Sequence, residues 1–169
     1  AIAEQIGYMD KIVSDLQVFV RPVDVQKQKV KLKRLIEATL AQTHIPQNVQ
    51  ASLYTEETLT IQTDPYLLKR LLINLITNAV QAMPEGGKLT IQAHTTQTGY
   101  VQITVEDTGT GIPEEIKPKL FTPLFTTKSK GQGFGLAACK RVIEAQNGTI
   151  SFESEVNKGT KFIVELPIK

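Results

Sequence analysis

The chain has 169 residues, 41% of them hydrophobic, and carries 19 Lys plus Arg against 17 Asp plus Glu for a formal net charge of +2. That length supports one well-buried core with a short appendage at most, and so balanced a charge, with no dense basic run, gives no footing for a nucleic-acid or membrane-surface partner. A single Cys139 excludes an internal disulfide, and its setting in LAACKRV reads as a small apolar residue on a buried helix face, in a reducing compartment. No apolar run approaches the roughly 18 residues that span a bilayer, and no signal peptide is evident. The chain opens in mid-helix without an initiating methionine, which predicts a fragment.

In chain order, Ile2, Ile6, Met9, Val13, Leu16 and Val20 recur at alternating four- and three-residue steps, the seam of a coiled coil or helical bundle. Such a seam asks for a partner helix, from a second copy of the chain or from a segment outside this sequence. Arg21-Pro22 stops it. After a polar connection, Leu32, Leu35, Ile36 and Leu40 mark a second helix. The period then changes to two: Val49, Ala51 and Leu53 alternate, as do Leu59 and Ile61, and the polar Tyr54 to Thr58 between them predicts a hairpin.

Asp64-Pro65 opens the next helix with a carboxylate cap followed by proline in the first turn. This helix carries LLINLITNAVQAM, in which Leu71, Leu72, Leu75, Ile76, Ala79 and Met83 form one apolar stripe while Asn74 and Asn78 stand one turn apart. Burying two carboxamides costs ~1–3 kcal/mol for each unmet group. They invite a polar ligand unless they cap a neighbouring loop or face solvent. Pro84 to Gly87 ends the helix, and strands over residues 88–95 and 100–106 follow, joined by a turn at Gln97-Thr98-Gly99. The second strand delivers Asp107 into a loop with Gly109 and Gly111. Pro113-Glu114-Glu115 is expected to start a short helix ending near Phe121. Residues 122–135, TPLFTTKSKGQGFG, are too polar for core and read as a lid. Residues 136–146 are predicted helical, with Asn147-Gly148 as the stop, and a final strand pair spans 149–154 and 160–166. Helices and mostly antiparallel strands predict an α+β, two-layer sandwich behind one bundle helix.

Singly, the glycine motifs are weak. Gly133-x-Gly135-x-x-Ala138 fits a relaxed dinucleotide fingerprint, but a lysine-rich loop rather than a strand precedes it, and no GxxxxGK[ST] occurs. In order, however, NLITNA (74–79), DTGTGI (107–112), FTPLFTTK (121–128), GQGFGLA (131–137) and KGT (158–160) resemble the N, G1, F, G2 and G3 boxes of the ATP-binding domain of sensor histidine kinases, of the GHKL or Bergerat type. The wording of NAVQAM and PLFTTKSKGQGFGLA is most similar to the nitrogen-regulator-like subgroup. The resemblance covers roughly residues 23–169, and the helix over 1–22 resembles the second helix of that family's dimerisation hairpin.

The resemblance implies a mixed, mostly antiparallel sheet with helices on one face, and ATP and Mg²⁺ as cofactors. Asn78 would give an oxygen to Mg²⁺, with Asn74 beside the metal waters or phosphates; Asn74 and Lys128 would be catalytic. Asp107 would accept the exocyclic amine of adenine, Gly109 and Gly111 would let the backbone approach the base, and Ile112 would pack on it. Lys128 and Lys130 would meet the outer phosphates. Gly131, Gly133, Gly135 and Leu136 would fold over the triphosphate at the start of a helix, and Thr160 would lie under the adenine. Lysines in loops are otherwise solvated, glycines otherwise simply turn, and Thr160 is otherwise a plain strand residue.

Related ATPases of this fold resemble one another in carrying a glutamate, a general base, where this chain has Asn74. The resemblance therefore implies phosphoryl transfer to a histidine on the hairpin's first helix, then to an aspartate of a response-regulator receiver domain, in a homodimeric parent. That histidine is not evident: His44 sits in a connection and His94 in a strand. A second departure is Gln81, where many relatives carry a basic residue. A GHKL-type ATPase, an anti-sigma-type Ser/Thr kinase and a nucleotide-sensing scaffold stay open beside this reading. A cytoplasmic location is expected for this portion, whether or not the parent is anchored in a membrane.

Overall fold

The computed structural model describes residues 2–20, 22–123 and 133–169. Helix α1 (Ile2–Val20) is the expected seam helix. Ile2, Ile6, Met9 and Val13 are 50–75% exposed, and the helix runs beside α4 (Gly133–Glu144). After it come β1 (Gln28–Lys31), α2 (Leu32–Gln42), β2 (Val49–Thr55) and β3 (Thr60–Thr63).

Helix α3 (Pro65–Gln81) follows, and the chemistry of its start is local. The Asp64 carboxylate accepts the N–H groups of Tyr66 (3.0 Å) and Leu67 (3.2 Å), two of the donors that a helix N-terminus leaves without intrahelical partners. Its stripe of Leu68, Leu71, Leu72, Leu75, Ile76 and Ala79 is almost wholly removed from water, worth about 1.5–3 kcal/mol for each large side chain.

A five-stranded mixed sheet takes this stripe. Its order is β2-β4-β5-β7-β6, with β4 (Gly87–Thr95), β5 (Tyr100–Asp107), β6 (Thr149–Glu155) and β7 (Gly159–Pro167). Leu89, Ile91, Val101, Ile103, Val105, Phe162, Val164 and Leu166 form the sheet's side of the core. All pairings are antiparallel except β2–β4. The α+β, layered expectation therefore holds.

Three local expectations do not. The hairpin between β2 and β3 is absent: β2 pairs in parallel with β4, while β3 pairs antiparallel with β1 in a separate two-stranded sheet. Alternation identifies a strand but not its partner. Here α3 supplies the crossover that a parallel β2–β4 pair requires. The helix expected from Pro113 to Phe121 is reduced to a 3-10 turn at Lys117–Lys119, because Pro118 lacks an N–H and disfavours helical backbone at the residue before it. Helix α4 begins at Gly133 rather than Leu136 and ends at Glu144. Gly148 N–H bonds to Ile143 O (3.0 Å) past a left-handed Asn147 (φ 61°), as in many helix C-termini.

Candidate functional site

The predicted residues form two groups, one on the C-terminal half of α3 and one at the sheet end whose glycine loop docks on the end of that helix. The first is the carboxamide pair. Asn78 Nδ2 donates to Asn74 Oδ1 at 3.1 Å, with both side chains half-buried. They thus answer each other along the helix, and this hydrogen bond leaves Oδ1 as the acceptor of Asn78. Against them lies the start of α4: a Cβ built on Gly135 would come within 2.0 Å of Asn74 Nδ2. Leu136, next in α4, is 4% exposed and belongs to the core.

The second group is the end of the sheet. Asp107 closes β5, is 5% exposed, and its Oδ1 accepts the N–H of Gly109 at 2.9 Å. Directly across from it on β7 is Thr160, equally buried. The glycine loop is held between α3 and the β6–β7 turn. Thr110 N–H donates to Ala82 O (3.0 Å) at the end of α3, and Asn157 N–H donates to Thr110 O (2.8 Å). Close approach explains the glycines: a Cβ on Gly109 would meet Ala82 O at 2.3 Å, and one on Gly111 (φ +73°) would meet Glu155 O at 2.2 Å. Ile112, half-buried, is fixed by its N–H to Ser154 Oγ at 2.8 Å.

The two groups are linked through main chain, since Asn78 is one turn from the helix end on which the loop docks: Ala82 N–H bonds to Asn78 O, and Thr110 N–H to Ala82 O. Phe121, opening the F box, packs on Phe152 of β6 (ring centroids 5.8 Å apart), with Lys140 Nζ 5.7 Å from its centroid. Lys128, Lys130 and Gly131 lie outside the described residues, and of the second glycine box Gly133 and Gly135 fall in the first turn of α4.

His44 and His94 are both exposed, His44 in the α2–β2 connection and His94 on β4, far along the chain from any helix of the bundle type. Cys139 is buried, as expected. Sequence reasoning missed Ser154 and the backbone of Ala82. Ser154 had one signal, a hydroxyl in phase with the core-facing Ile150 and Phe152 at the end of an edge strand; a main-chain carbonyl has none.

The family described as histidine kinase-, DNA gyrase B- and HSP90-like ATPase matches residues 63–169. The sensor histidine kinase ZraS of Salmonella typhi is 36% identical over 99% of this chain, which spans 37% of that relative's length. Among solved structures, the catalytic domain of histidine kinase ThkA is 33% identical, with a TM-score of 0.74, covering 85% of this chain and 96% of that one. A ThkA structure in complex with response regulator TrrA is 28% identical, with a TM-score of 0.80, covering 99% of this chain and 49% of that one. The chain therefore belongs to the histidine kinase-, DNA gyrase B- and HSP90-like ATPase family, and within it to the catalytic domains of histidine kinases.

Proposed function

We propose that this chain is the kinase portion of a sensor histidine kinase, binding Mg–ATP and donating the γ-phosphoryl to a histidine on a hairpin helix not contained in this sequence, for onward transfer to a response-regulator aspartate. The observation that carries the reading is a carboxylate at the sheet end whose glycine loop docks on the end of α3, the helix that bears a carboxamide pair facing the glycine start of α4. In this reading residues 1–22 belong to a dimerisation hairpin and residues 23–169 to the ATP-binding domain. The exposed seam of α1 supports a homodimeric parent, since about half or more of each of its first four apolar residues is bare. The ThkA–TrrA complex supports a receiver domain as the downstream partner.

Asp107 accepts the adenine amine in a buried setting, and guanine would turn a carbonyl oxygen to the same carboxylate. Losing that charge-assisted hydrogen bond costs on the order of 1.5–3 kcal/mol before repulsion is counted. Magnesium fits the other end. Asn78 offers one hard oxygen, and no group of three His, Cys, Asp or Glu among the described residues is arranged to hold a metal. Such a donor set suits an ion that keeps most of its water and shares phosphate oxygens. Bound there, the ion supplies charge neutralisation for the transferring phosphoryl group. Asn74 is an amide and cannot take a proton from water, which favours transfer over hydrolysis. The start of α4 adds N–H groups for an anion, and Lys128 and Lys130 are assigned to the outer phosphates.

Asn78→Ala tests the metal end: nucleotide binding should lose its dependence on Mg²⁺, read by titration with and without EDTA. A variant whose affinity still rises with Mg²⁺ contradicts the assignment. The gyrase-type ATPase is the second reading, and rapid phosphate release by this chain would favour it.

A further inference from the structure

Three strands end side by side at the adenine end of the site. Asp107, Thr160 and Ser154 are successive cross-strand partners on β5, β7 and β6. They lie in phase with Val105, Phe162 and Ile150, all buried, so the row sits on the helix-covered face. Ser154 is its outer member, half-buried, with its carbonyl held by Lys117 Nζ at 2.7 Å. Its Oγ lies 2.8 Å from Ile112 N, 3.1 Å from Gly159 O and 2.8 Å from Thr160 Oγ1.

The proton positions follow from what the outer partners can do. A backbone N–H only donates and a carbonyl only accepts, whereas a hydroxyl has one hydrogen and two lone pairs. Ser154 therefore gives its hydrogen to Gly159 O and uses both lone pairs, one for Ile112 N–H and one for the hydroxyl of Thr160. Thr160 has then spent its only hydrogen. Toward the site it presents lone pairs alone, next to the Asp107 carboxylate, which also only accepts.

Building on the ATP reading above, we infer that Ser154 is a specificity-positioning residue: by taking the Thr160 proton it makes that hydroxyl a second acceptor, so the site favours a purine with a 6-amino group over one with a 6-oxo group. Ser154 acts through Thr160 and through the Ile112 backbone, without touching the nucleotide. Acceptors facing the ligand penalise one that brings an acceptor against them.

The test measures dissociation constants for ATP and ITP, which differ in a 6-amine against a 6-carbonyl and in a bare N1 against an N1–H, by calorimetry of this chain in Mg²⁺, and reads the change in their ratio between variants. Wild type should prefer ATP. Ser154→Ala should cut that preference about tenfold, one hydrogen bond's worth, because the Thr160 hydroxyl becomes free to donate to the 6-carbonyl. Ser154→Thr, which keeps the hydroxyl, should restore it. In a Thr160→Val background, Ser154→Ala should leave the ratio unchanged. Equal weakening of both nucleotides by Ser154→Ala, with an unchanged ratio, overturns the proposal and reduces Ser154 to a strand tie. If thermal melting shows Ser154→Ala unfolded, Ser154→Cys carries the same comparison, since a thiol is a weak donor and acceptor. Wild type that binds neither nucleotide overturns the ATP reading and this inference together; Asp107→Asn losing ATP while Ser154→Ala keeps the ratio overturns this inference alone.

Discussion

The two ends of the site differ in what their glycines press against. At the sheet end, Gly109, Gly111 and Gly159 each face a backbone carbonyl, of Ala82, Glu155 and Asp107, at 2.0–2.3 Å from a built Cβ. At the α4 end, Gly135 faces the tip of a side chain, Asn74 Nδ2. Backbone fixed by sheet and helix cannot retreat, whereas a carboxamide can rotate. The sheet end is thus built rigid, from main chain in three elements, while the α4 end has a movable part. That division suits the proposed reading, in which the sheet end recognises one base and the α4 end accommodates a phosphoryl group as it leaves.

Substitutions should expose that division. The largest effect is expected of Gly159→Ala: at φ +127°, with Asp107 O only 2.0 Å from the new methyl, it should cost roughly 3 kcal/mol of stability in urea unfolding. Gly99→Ala, also at positive φ (+82°) but in open space, should cost only about 1 kcal/mol. Equal losses would mean that strain, not the carbonyl contact, matters. Next, Asp107→Asn should weaken ATP by about 1.5–3 kcal/mol, some ten- to hundredfold, with a near-native melting curve. Unchanged affinity would remove Asp107 from adenine recognition.

Smaller again is Gly135→Ala. The methyl should displace the Asn74 carboxamide rather than unfold the chain, lowering ATP affinity by about 1 kcal/mol while stability shifts by less than about 1 kcal/mol. Severe unfolding would show that the α4 end is as rigid as the other.

The smallest effect lies away from the site, in the exposed Lys33–Glu57 pair that ties α2 to the β2–β3 connection. The hydrogen bond to Glu57 raises the Lys33 pKa, and the hydrogen bond from Lys33 lowers that of Glu57. The signs set the windows. The lysine's contribution is present below its ordinary value of 10.5 and fades as pH rises through its raised value; the carboxylate's is present above its ordinary value of 4.5 and fades as pH falls through its lowered one. Lys33→Ala should therefore flatten the stability–pH profile slightly at both extremes and leave ATP binding untouched.

Sequence reading reached the elements whose causes are local. The Asp64-Pro65 cap, the amphipathic stripe of α3, and the β4–β5 and β6–β7 pairs with their glycine turns all follow from neighbouring residues. It could not reach pairings decided elsewhere. QKVK of β1 has one apolar residue, Val30, and is a strand only because Ile61 lies opposite it. The partner of β2 was settled by the crossover through α3. The candidate site residues were read as five boxes in order; the structure places Asn74 and Asn78 on α3 with Gly135 against Asn74, Gly109 against the end of α3, and Thr160 opposite Asp107 on the sheet. Ser154 had only its in-phase hydroxyl as a signal, because its partner Thr160 depends on the register of β6 with β7.

The most direct measurement is calorimetric titration of the chain with ATP, ADP and GTP, in Mg²⁺ and in EDTA, with phosphate release followed in parallel. Adenine-selective, Mg²⁺-assisted binding with negligible phosphate release is the predicted result for a kinase domain waiting for its histidine. Rapid release would show a general base that Asn74 cannot provide and move the protein to the ATPase reading, and no binding at all would contradict the nucleotide site itself.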